Sequence, residues 1–162
     1  MPVRLQHEDF DLNAELERLR AGRPEIGAVV AFVGTVRDLG AGGVVTLMEL
    51  EHYPGMTEAA LEGIAALAMR RWPVTDVLVV HRIGALQARE QIVLAAVAAP
   101  HRSDAFAACE FVMDYLKTRA PFWKKECGAA GTRWVEAREQ DEAALARWEA
   151  AAPERRRALA RP

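Results

Sequence analysis

The chain has 162 residues, of which 51% are hydrophobic and 27% charged, so it is long enough for one domain with a substantial core. Its formal net charge of −2 argues against a protein that binds nucleic acid or an anionic membrane through overall charge. No apolar run reaches the roughly 18 residues that cross a bilayer. The polar N-terminal segment contains acidic residues and is not typical of an export or transit signal. These features predict a cytoplasmic protein with neither nucleic acid nor a membrane as partner.

The cysteines and histidines are too few and too dispersed to predict a disulfide framework or a metal site. Cys109 and Cys127 are the only cysteines, and Cys109 is expected in the core of a helix. Cys127 is expected to be incidental rather than catalytic. No histidine lies three to five residues from another or near a cysteine; the four are His7, His52, His81 and His101. We therefore predict neither a metal nor a cofactor.

The first predicted elements are a helix and two strands. Asp11 is expected to cap a short helix that continues to about Arg20. Continuous β-branched, apolar and aromatic residues predict a buried strand at 26–34, and partial alternation predicts another at 44–53. The loop between them, 35–43, ends in GAGG but lacks the GK[ST] of a phosphate-binding P-loop, so a flexible turn is favoured.

Two further helices and a pair of strands follow. Thr57 is expected to cap one helix, and Ser103 to cap a later one over about 104–118. Between these helices, residues 76–84 and 91–99 predict two strands joined by a short polar connection. The predicted core-facing residues are Leu61, Ile64, Ala65 and Ala68 in the first helix, and Phe106, Cys109, Val112, Met113 and Leu116 in the second.

The C-terminal part of the chain predicts a hairpin, a helix and a tail. Residues 122–126 and 132–137 flank a small-residue loop, which is typical of a hairpin. A last helix is expected from about Gln140, and the charged segment 151–162 is expected to be disordered. Strand pairs separated by helices predict a single α+β domain over residues 1–150, with a largely antiparallel sheet.

The three lysines are an unusual compositional feature. The chain contains 18 arginines, whereas Lys117, Lys124 and Lys125 are its only lysines and lie within nine residues. Because arginine is the usual cation here, lysine at these positions indicates a need for a compact ammonium that can release a proton. Chance combined with a genomic bias towards arginine is the alternative explanation.

Residues 115–126, with the sequence YLKTRAPFWKKE, carry four cations between Tyr115 and Lys125 and no acid. Like charges packed this closely repel one another, which costs stability unless an anion binds between them. Phe122 and Trp123 provide apolar walls that would strengthen such electrostatic interactions. The segment therefore favours an anion-binding catalytic site over a solvated basic edge of a hairpin.

A second candidate anion site lies at the start of the helix predicted over 104–118. His101 and Arg102 precede this helix, and the unpaired N–H groups of a helix N-terminus favour an anion such as phosphate. Capping and solvation of the loop explain the same two residues equally well.

Several segments resemble the large, catalytic subunit of molybdopterin synthase. Single motifs such as HRIG carry little weight, but EHYPGM followed at this spacing by MDYLKTRAPFWKKE is highly specific. The resemblance extends over about residues 8–148. The matching segments are FVGTVRD (32–38), LEHYPGM (50–56), HRIG (81–84), the block 101–126 and RWVEARE (133–139).

The resemblance implies an α/β-hammerhead-type fold and a homodimer within a heterotetramer. The other two subunits would be copies of a small ubiquitin-like sulfur carrier that ends in Gly-Gly with a C-terminal thiocarboxylate. The implied reaction is a sulfurtransferase step of molybdenum-cofactor biosynthesis. Two sulfurs pass in turn to cyclic pyranopterin monophosphate to form the molybdopterin dithiolene, and no metal is needed.

The resemblance also implies which residues form the site. Lys117 and Lys124 match the family's catalytic lysines, and Arg138 matches an arginine associated with the pocket. The matching substrate-contacting positions are Thr35, Val36, Arg37, His101, Arg102, Lys117, Lys124, Lys125 and Glu126. Arginines and the helix start suit the substrate phosphate, whereas the two lysines suit the thiocarboxylate and proton transfer at the pterin side chain.

Two other classes of function are compatible with parts of the sequence. A non-catalytic module of the same fold would bind a phosphorylated ligand or the ubiquitin-like partner without turnover. A nucleic-acid-binding protein would use the basic hairpin, but the acidic overall balance argues against it.

Overall fold

A computed structural model describes residues 3–40, 43–135 and 139–150. The helices of this part of the chain are α1 (Leu12–Arg20), α2 (Met56–Arg71), α3 (Arg102–Arg119) and α4 (Glu139–Ala150). The strands are β1 (Val3–Gln6), β2 (Ala28–Thr35), β3 (Leu39–Gly40), β4 (Gly43–His52), β5 (Asp76–Arg82), β6 (Gly84–Gln87), β7 (Gln91–Ala99), β8 (Phe122–Gly128) and β9 (Gly131–Val135). The segment 151–162, for which disorder is predicted, lies outside the described residues.

The first sheet has the strand order β1-β5-β7-β2. β5 and β7 pair antiparallel, which confirms the predicted strand pair at 76–84 and 91–99. β2 pairs antiparallel with β7 along its whole length and forms one edge of the sheet. β1, which the sequence did not predict, pairs parallel with β5 at the other edge. Four residues are too few to reveal a period, and β1 is defined by its pairing instead.

The second sheet is built around β4 and β8. Its order is β3-β4-β8-β9, and β6 pairs with β4 along the edge opposite β8. The antiparallel β8–β9 pair confirms the predicted C-terminal hairpin. The first two predicted strands, at 26–34 and 44–53, do not pair with each other, because β2 belongs to the first sheet and β4 to the second. The α+β class with mostly antiparallel pairing is confirmed.

Helices cover both faces of the first sheet. On one face, Leu19 of α1 packs with Leu78, Val80 and Leu94 of the central strands. On the other face, α2 and α3 contribute to the larger core, in which Val79 and Val97 are completely buried. The predicted core-facing residues of α2 are confirmed as buried; they are Leu61, Ile64, Ala65 and Ala68. None of the described helices is long and apolar enough to cross a membrane.

Thr57 does not cap α2, which corrects the sequence prediction. The N-cap is Gly55, whose positive φ of 80° turns the chain into the helix, and whose N–H donates to the Glu58 carboxylate at 2.7 Å. The Thr57 hydroxyl is buried instead. It accepts a hydrogen bond from the Tyr53 N–H and donates one to the Pro121 carbonyl, both at 3.0 Å. Thr57 therefore ties the start of α2 to the residue that precedes β8.

The start of α3 and one of its predicted core residues also differ from expectation. His101, not Ser103, is the N-cap, and no side chain caps the helix. Phe106 is 62% exposed, whereas the other predicted core residues of this helix are buried. At about 100° per residue, Phe106 lies about 100° around the helix axis from the buried Ala105, whereas Cys109, Val112 and Leu116 lie within about 40° of it. Phe106 is therefore at the border of the buried side of α3.

Candidate functional site

The ends of several elements enclose a cavity of about 410 Å³. The last turn of α3, the end of β2 and the middle of β8 each contribute side chains to its wall. Five of the residues predicted from the sequence line it: Thr35, Arg37, Lys117, Lys124 and Glu126. His81, Phe122 and Asp141 also line the cavity. The cavity thus brings together cations from distant parts of the chain.

Two of the cations in the cavity wall lack a partner among the described residues. Lys117, in the last turn of α3, and Arg37, just after β2, are both exposed, and neither forms an ion pair with any residue in the described ranges. Glu126 and Asp141 are the carboxylates that line the same cavity. Cations held at a concave surface in this way attract an anionic ligand.

Strand alternation decides which residues of β8 face the cavity. Lys124 pairs with Leu50 of β4, and its side chain lines the cavity together with that of Glu126, two residues further along. Lys125 lies between them and does not line it. Its ammonium lies 5.3 Å from the centre of the Trp134 ring on β9.

His81 lines the cavity, although the sequence analysis did not single it out as a site residue. Its side chain is only 2% exposed and its ring stacks on Phe122, with 4.0 Å between the ring centres. Burial lowers the pKa of His81 to about 3, and the positive charges of Lys124 and Lys117 act in the same direction, against a hydrogen bond to the Arg82 carbonyl. His81 is therefore neutral near pH 7, and both ammonium groups lie within electrostatic reach of its ring.

The structure places His101 and Arg102 away from this cavity. They lie at the N-terminal end of α3, whereas Lys117 lies at its C-terminal end. Fifteen residues of helix separate Arg102 from Lys117, a rise of about 22 Å at roughly 1.5 Å per residue. The two ends of α3 in one chain therefore do not meet at a single small ligand.

Two further predicted site residues are Val36, whose side chain does not line the cavity, and Arg138. Val36 is 1% exposed, and its backbone pairs with that of the segment before β7, where its N–H donates to the Glu90 carbonyl at 2.9 Å. Arg138 is outside the described residues. The roles predicted for Val36, Lys125, His101, Arg102 and Arg138 stay predictions.

The cysteines lie apart from the chemistry of the cavity. Burial raises the pKa of Cys109 to about 11, and its thiol donates to the Ala95 carbonyl at 3.7 Å. Cys127 is half-buried in β8, and its sulfur accepts from the Thr132 hydroxyl at 3.6 Å. Within the described ranges, no group of three or more histidine, cysteine or acidic side chains is arranged to hold a metal ion.

The chain matches the family model described as MoaE protein over residues 5–119. The chain belongs to the MoaE protein family. A molybdopterin synthase catalytic subunit of Ralstonia nicotianae is 64% identical over 146 residues, which cover 90% of this chain and 83% of the relative. The family match and this identity both agree with the resemblance of the sequence to the catalytic subunit of molybdopterin synthase.

Solved structures of MoaE relatives share the fold. The MoaE protein of Burkholderia ambifaria superimposes with a TM-score of 0.79 at 64% identity, covering 92% of this chain and 98% of that chain. A structure described as molybdopterin synthase from Staphylococcus aureus gives a TM-score of 0.74 at 36% identity, covering 82% and 95%. The arrangement of two sheets and four helices is that of the MoaE family.

Proposed function

We propose that this MoaE-family chain is the catalytic subunit of a molybdopterin synthase that acts in the cytoplasm. It transfers two sulfurs, one after the other, to cyclic pyranopterin monophosphate. The sulfur donor is the C-terminal thiocarboxylate of a small ubiquitin-like carrier that ends in Gly-Gly. The observation that carries this proposal is the convergence of Lys117, Lys124 and Arg37 on one cavity.

The charge of the cavity suits two anionic reactants. The substrate carries a phosphate and the carrier carries a thiocarboxylate, so both must be neutralised near the reacting carbon. Lys117 and Arg37 have no ion-pair partner among the described residues, which leaves their charges available to such ligands. The overall charge of the chain is slightly negative, so this attraction is local.

The two lysines suit the chemistry of sulfur transfer better than arginines would. In each transfer the thiocarboxylate sulfur forms a bond to a substrate carbon and takes the place of an oxygen substituent there. Water then cleaves the bond between this sulfur and the carrier's carbonyl carbon, which leaves the sulfur on the substrate and a carboxylate on the carrier. Charge therefore moves, and a compact ammonium both stabilises the developing negative charge and donates a proton. Lys117 from α3 and Lys124 from β8 approach the cavity from different elements, so the substrate lies between them.

His101 and Arg102 reach a cavity of this kind from a second copy of the chain. In one chain they lie about 22 Å along α3 from Lys117, at roughly 1.5 Å per residue. Arg102, Phe106 and Lys117 nevertheless share one side of the helix, since their spacings are close to whole numbers of turns. A two-fold axis that crosses α3 midway between them, level with residues 109–110, would place Arg102 of each copy beside Lys117 of the other.

The free edge of β2 gives such a pairing a physical basis. No described strand pairs with β2 on the side away from β7, and Phe32 in its middle is 41% exposed. Phe106 is exposed as well, on α3, the helix that packs against β2. Antiparallel pairing of two β2 strands would satisfy their unpaired backbone groups and bury both aromatic residues. It would also bring the start of one β2 next to the end of the other, where Arg37 lies.

The test of the proposed function is reconstitution. The purified chain, a thiocarboxylated carrier and cyclic pyranopterin monophosphate are mixed, and molybdopterin is measured; we expect product, and none when the carrier ends in a carboxylate. A non-catalytic module of the same fold would bind the carrier or the phosphorylated ligand without forming product. Complex formation without molybdopterin would therefore select that alternative.

A further inference from the structure

His81 is a polar side chain of the cavity wall to which the proposed function gives no role. His81 comes from β5 in the first sheet, whereas Lys124 comes from β8 in the second. It is one of only four buried polar or charged residues among those described. A polar group buried at a cavity is costly unless it has a partner there.

The contacts of the His81 ring determine which of its nitrogens faces the ligand. Nδ1 lies 2.8 Å from the Arg82 carbonyl oxygen, which only accepts hydrogen bonds, so Nδ1 carries the proton. One face of the ring is covered by Phe122, whose plane is inclined by 17°. Nε2 is then the remaining polar atom, and no described group donates a hydrogen bond to it. Because the ring is neutral, Nε2 carries a lone pair.

A lone pair at this position divides the cavity into two chemically different walls. Lys117, Lys124 and Arg37 offer only donors, and they attract phosphate and thiocarboxylate oxygens. Nε2 of His81 is an acceptor and repels those oxygens. A reduced pterin is rich in N–H donors, and it is the part of the substrate that complements such an acceptor.

We propose that Nε2 of His81 accepts a hydrogen bond from an N–H group of the bound pterin and so fixes which way the ring lies between Lys117 and Lys124. This inference rests on the proposed function, since it assigns an orientation to the same substrate. Phe122 holds the imidazole by stacking and the Arg82 carbonyl holds its tautomer, so the acceptor is oriented before the ligand binds.

The direct test is ¹⁵N NMR of the histidine rings in the full-length chain. The His81 signal is the one that disappears in His81→Phe. In the free protein at pH 7, this signal should show that Nε2 carries no proton. Saturation with cyclic pyranopterin monophosphate should move Nε2 in the direction of a hydrogen-bonded acceptor. Inorganic phosphate binds to the cations of the wall but brings no N–H donor, so it should leave the Nε2 signal unchanged. An Nε2 signal that does not move with the pterin overturns the proposal.

Kinetics separate this role from a merely structural one. His81→Phe keeps a ring on Phe122 but lacks the acceptor, and we expect kcat/KM for the pterin to fall roughly 10- to 100-fold, the effect of leaving a donor unpaired. His81→Gln, which can restore an acceptor, should recover part of the loss, whereas the KM for the carrier should be unchanged in both. His7→Phe serves as an exposed control with wild-type kinetics.

The outcomes distinguish failure of this inference from failure of the proposed function. Turnover by the wild-type chain without movement of Nε2 contradicts only the role of His81. Movement of Nε2 on adding the pterin, without molybdopterin formation, contradicts only the sulfur transfer. A third outcome assigns His81 to packing alone. In that case kcat/KM falls equally in His81→Phe and His81→Gln, the fall follows a loss of folded protein, and the Nε2 signal of the wild type does not move.

Discussion

The imidazole of His81 lies flat against the ring of Phe122, with 4.0 Å between the ring centres and 17° between the planes. His81 belongs to β5 in the first sheet and Phe122 to β8 in the second, so this stack joins the two sheets at the cavity. Phe122 begins the strand that carries Lys124. The stack on His81 therefore contacts the strand that carries one candidate catalytic lysine, two residues before that lysine.

Acid should destabilise the protein through His81. Its pKa is lowered from 6.5 to about 3 in the folded chain, so between these values the unfolded chain binds a proton that the folded chain does not. The free energy of unfolding should therefore fall as the pH drops below about 6.5, by up to about 1.4 kcal/mol per pH unit from this group. Denaturant unfolding at a series of pH values measures the slope.

The matched control for this pH dependence is His81→Phe, which cannot bind the proton in either state. Carboxylates contribute their own slope below about pH 5 in both proteins, so the informative quantity is the difference between the two curves. Parallel curves between pH 4 and 6.5 would show that His81 is not buried in its neutral form.

Arginine at position 117 should fail nearly as badly as alanine. If Lys117 delivers a proton or fits a compact ammonium beside the reacting carbon, guanidinium does not replace it. We expect Lys117→Arg and Lys117→Ala to lose roughly two to three decades of molybdopterin formation. The control is the reverse exchange Arg70→Lys at an exposed position of α2, away from the cavity. A Lys117→Arg enzyme near the wild-type rate would leave the lysine an electrostatic role only.

Mixing two inactive variants should restore activity if the site is shared between copies. In a dimer of Arg102→Ala with Lys117→Ala, one cavity receives both intact residues and the other receives neither. Random pairing then gives about a quarter of the wild-type activity, because half of the dimers are mixed and each has one complete site. The measurement is molybdopterin formation after refolding the variants together. Residues acting within one chain would give no recovery.

The two cysteines should differ in reactivity, and neither should supply sulfur. Cys109 is buried with a pKa raised to about 11, whereas Cys127 is half-buried in β8. Iodoacetamide should modify Cys127 first and reach Cys109 only on unfolding, as measured by mass spectrometry. Cys127→Ser should keep activity within a few-fold of wild type when the carrier is fully thiocarboxylated. Loss of product under those conditions would place a sulfur step on this chain.

Most elements were predictable because their patterns are local. The buried strand β7 and the apolar side of α2 are visible in the spacing of their residues. β3 and β6, with two and four residues, are too short to show a period. Sheet membership was not predictable either, because β2 pairs with β7, whose partner residues lie more than 50 positions away.

The candidate site was predictable in its chemistry but not in its geometry. Clustering of the lysines marked β8 and the end of α3, and both contribute to the cavity. Nothing local separates His81 from a core histidine, because its importance comes from Phe122, 41 positions later. Likewise, Phe106 lies at the border of the buried side of α3, where packing against distant segments decides whether a side chain is covered. Contacts between distant segments, which one sequence does not reveal, decide these cases.

Because β8 fits tightly against β4 at one point, the number of residues between that point and each lysine decides whether Lys124 or Lys125 faces the cavity. A side chain at Gly128 would place its Cβ 2.0 Å from the Val44 carbonyl oxygen, so the two backbones meet there too closely for any other residue. The irregularity in this pairing, between Val45 and Leu47, falls on β4, so the alternation of β8 is uninterrupted. Because Gly128 fixes the register at this end of β8, removal of a single residue between Lys125 and Gly128 would turn Lys125 towards the substrate and Lys124 away from it. When MoaE-type sequences are aligned, a one-residue gap at this point therefore implies a change of chemistry even where both lysines are present.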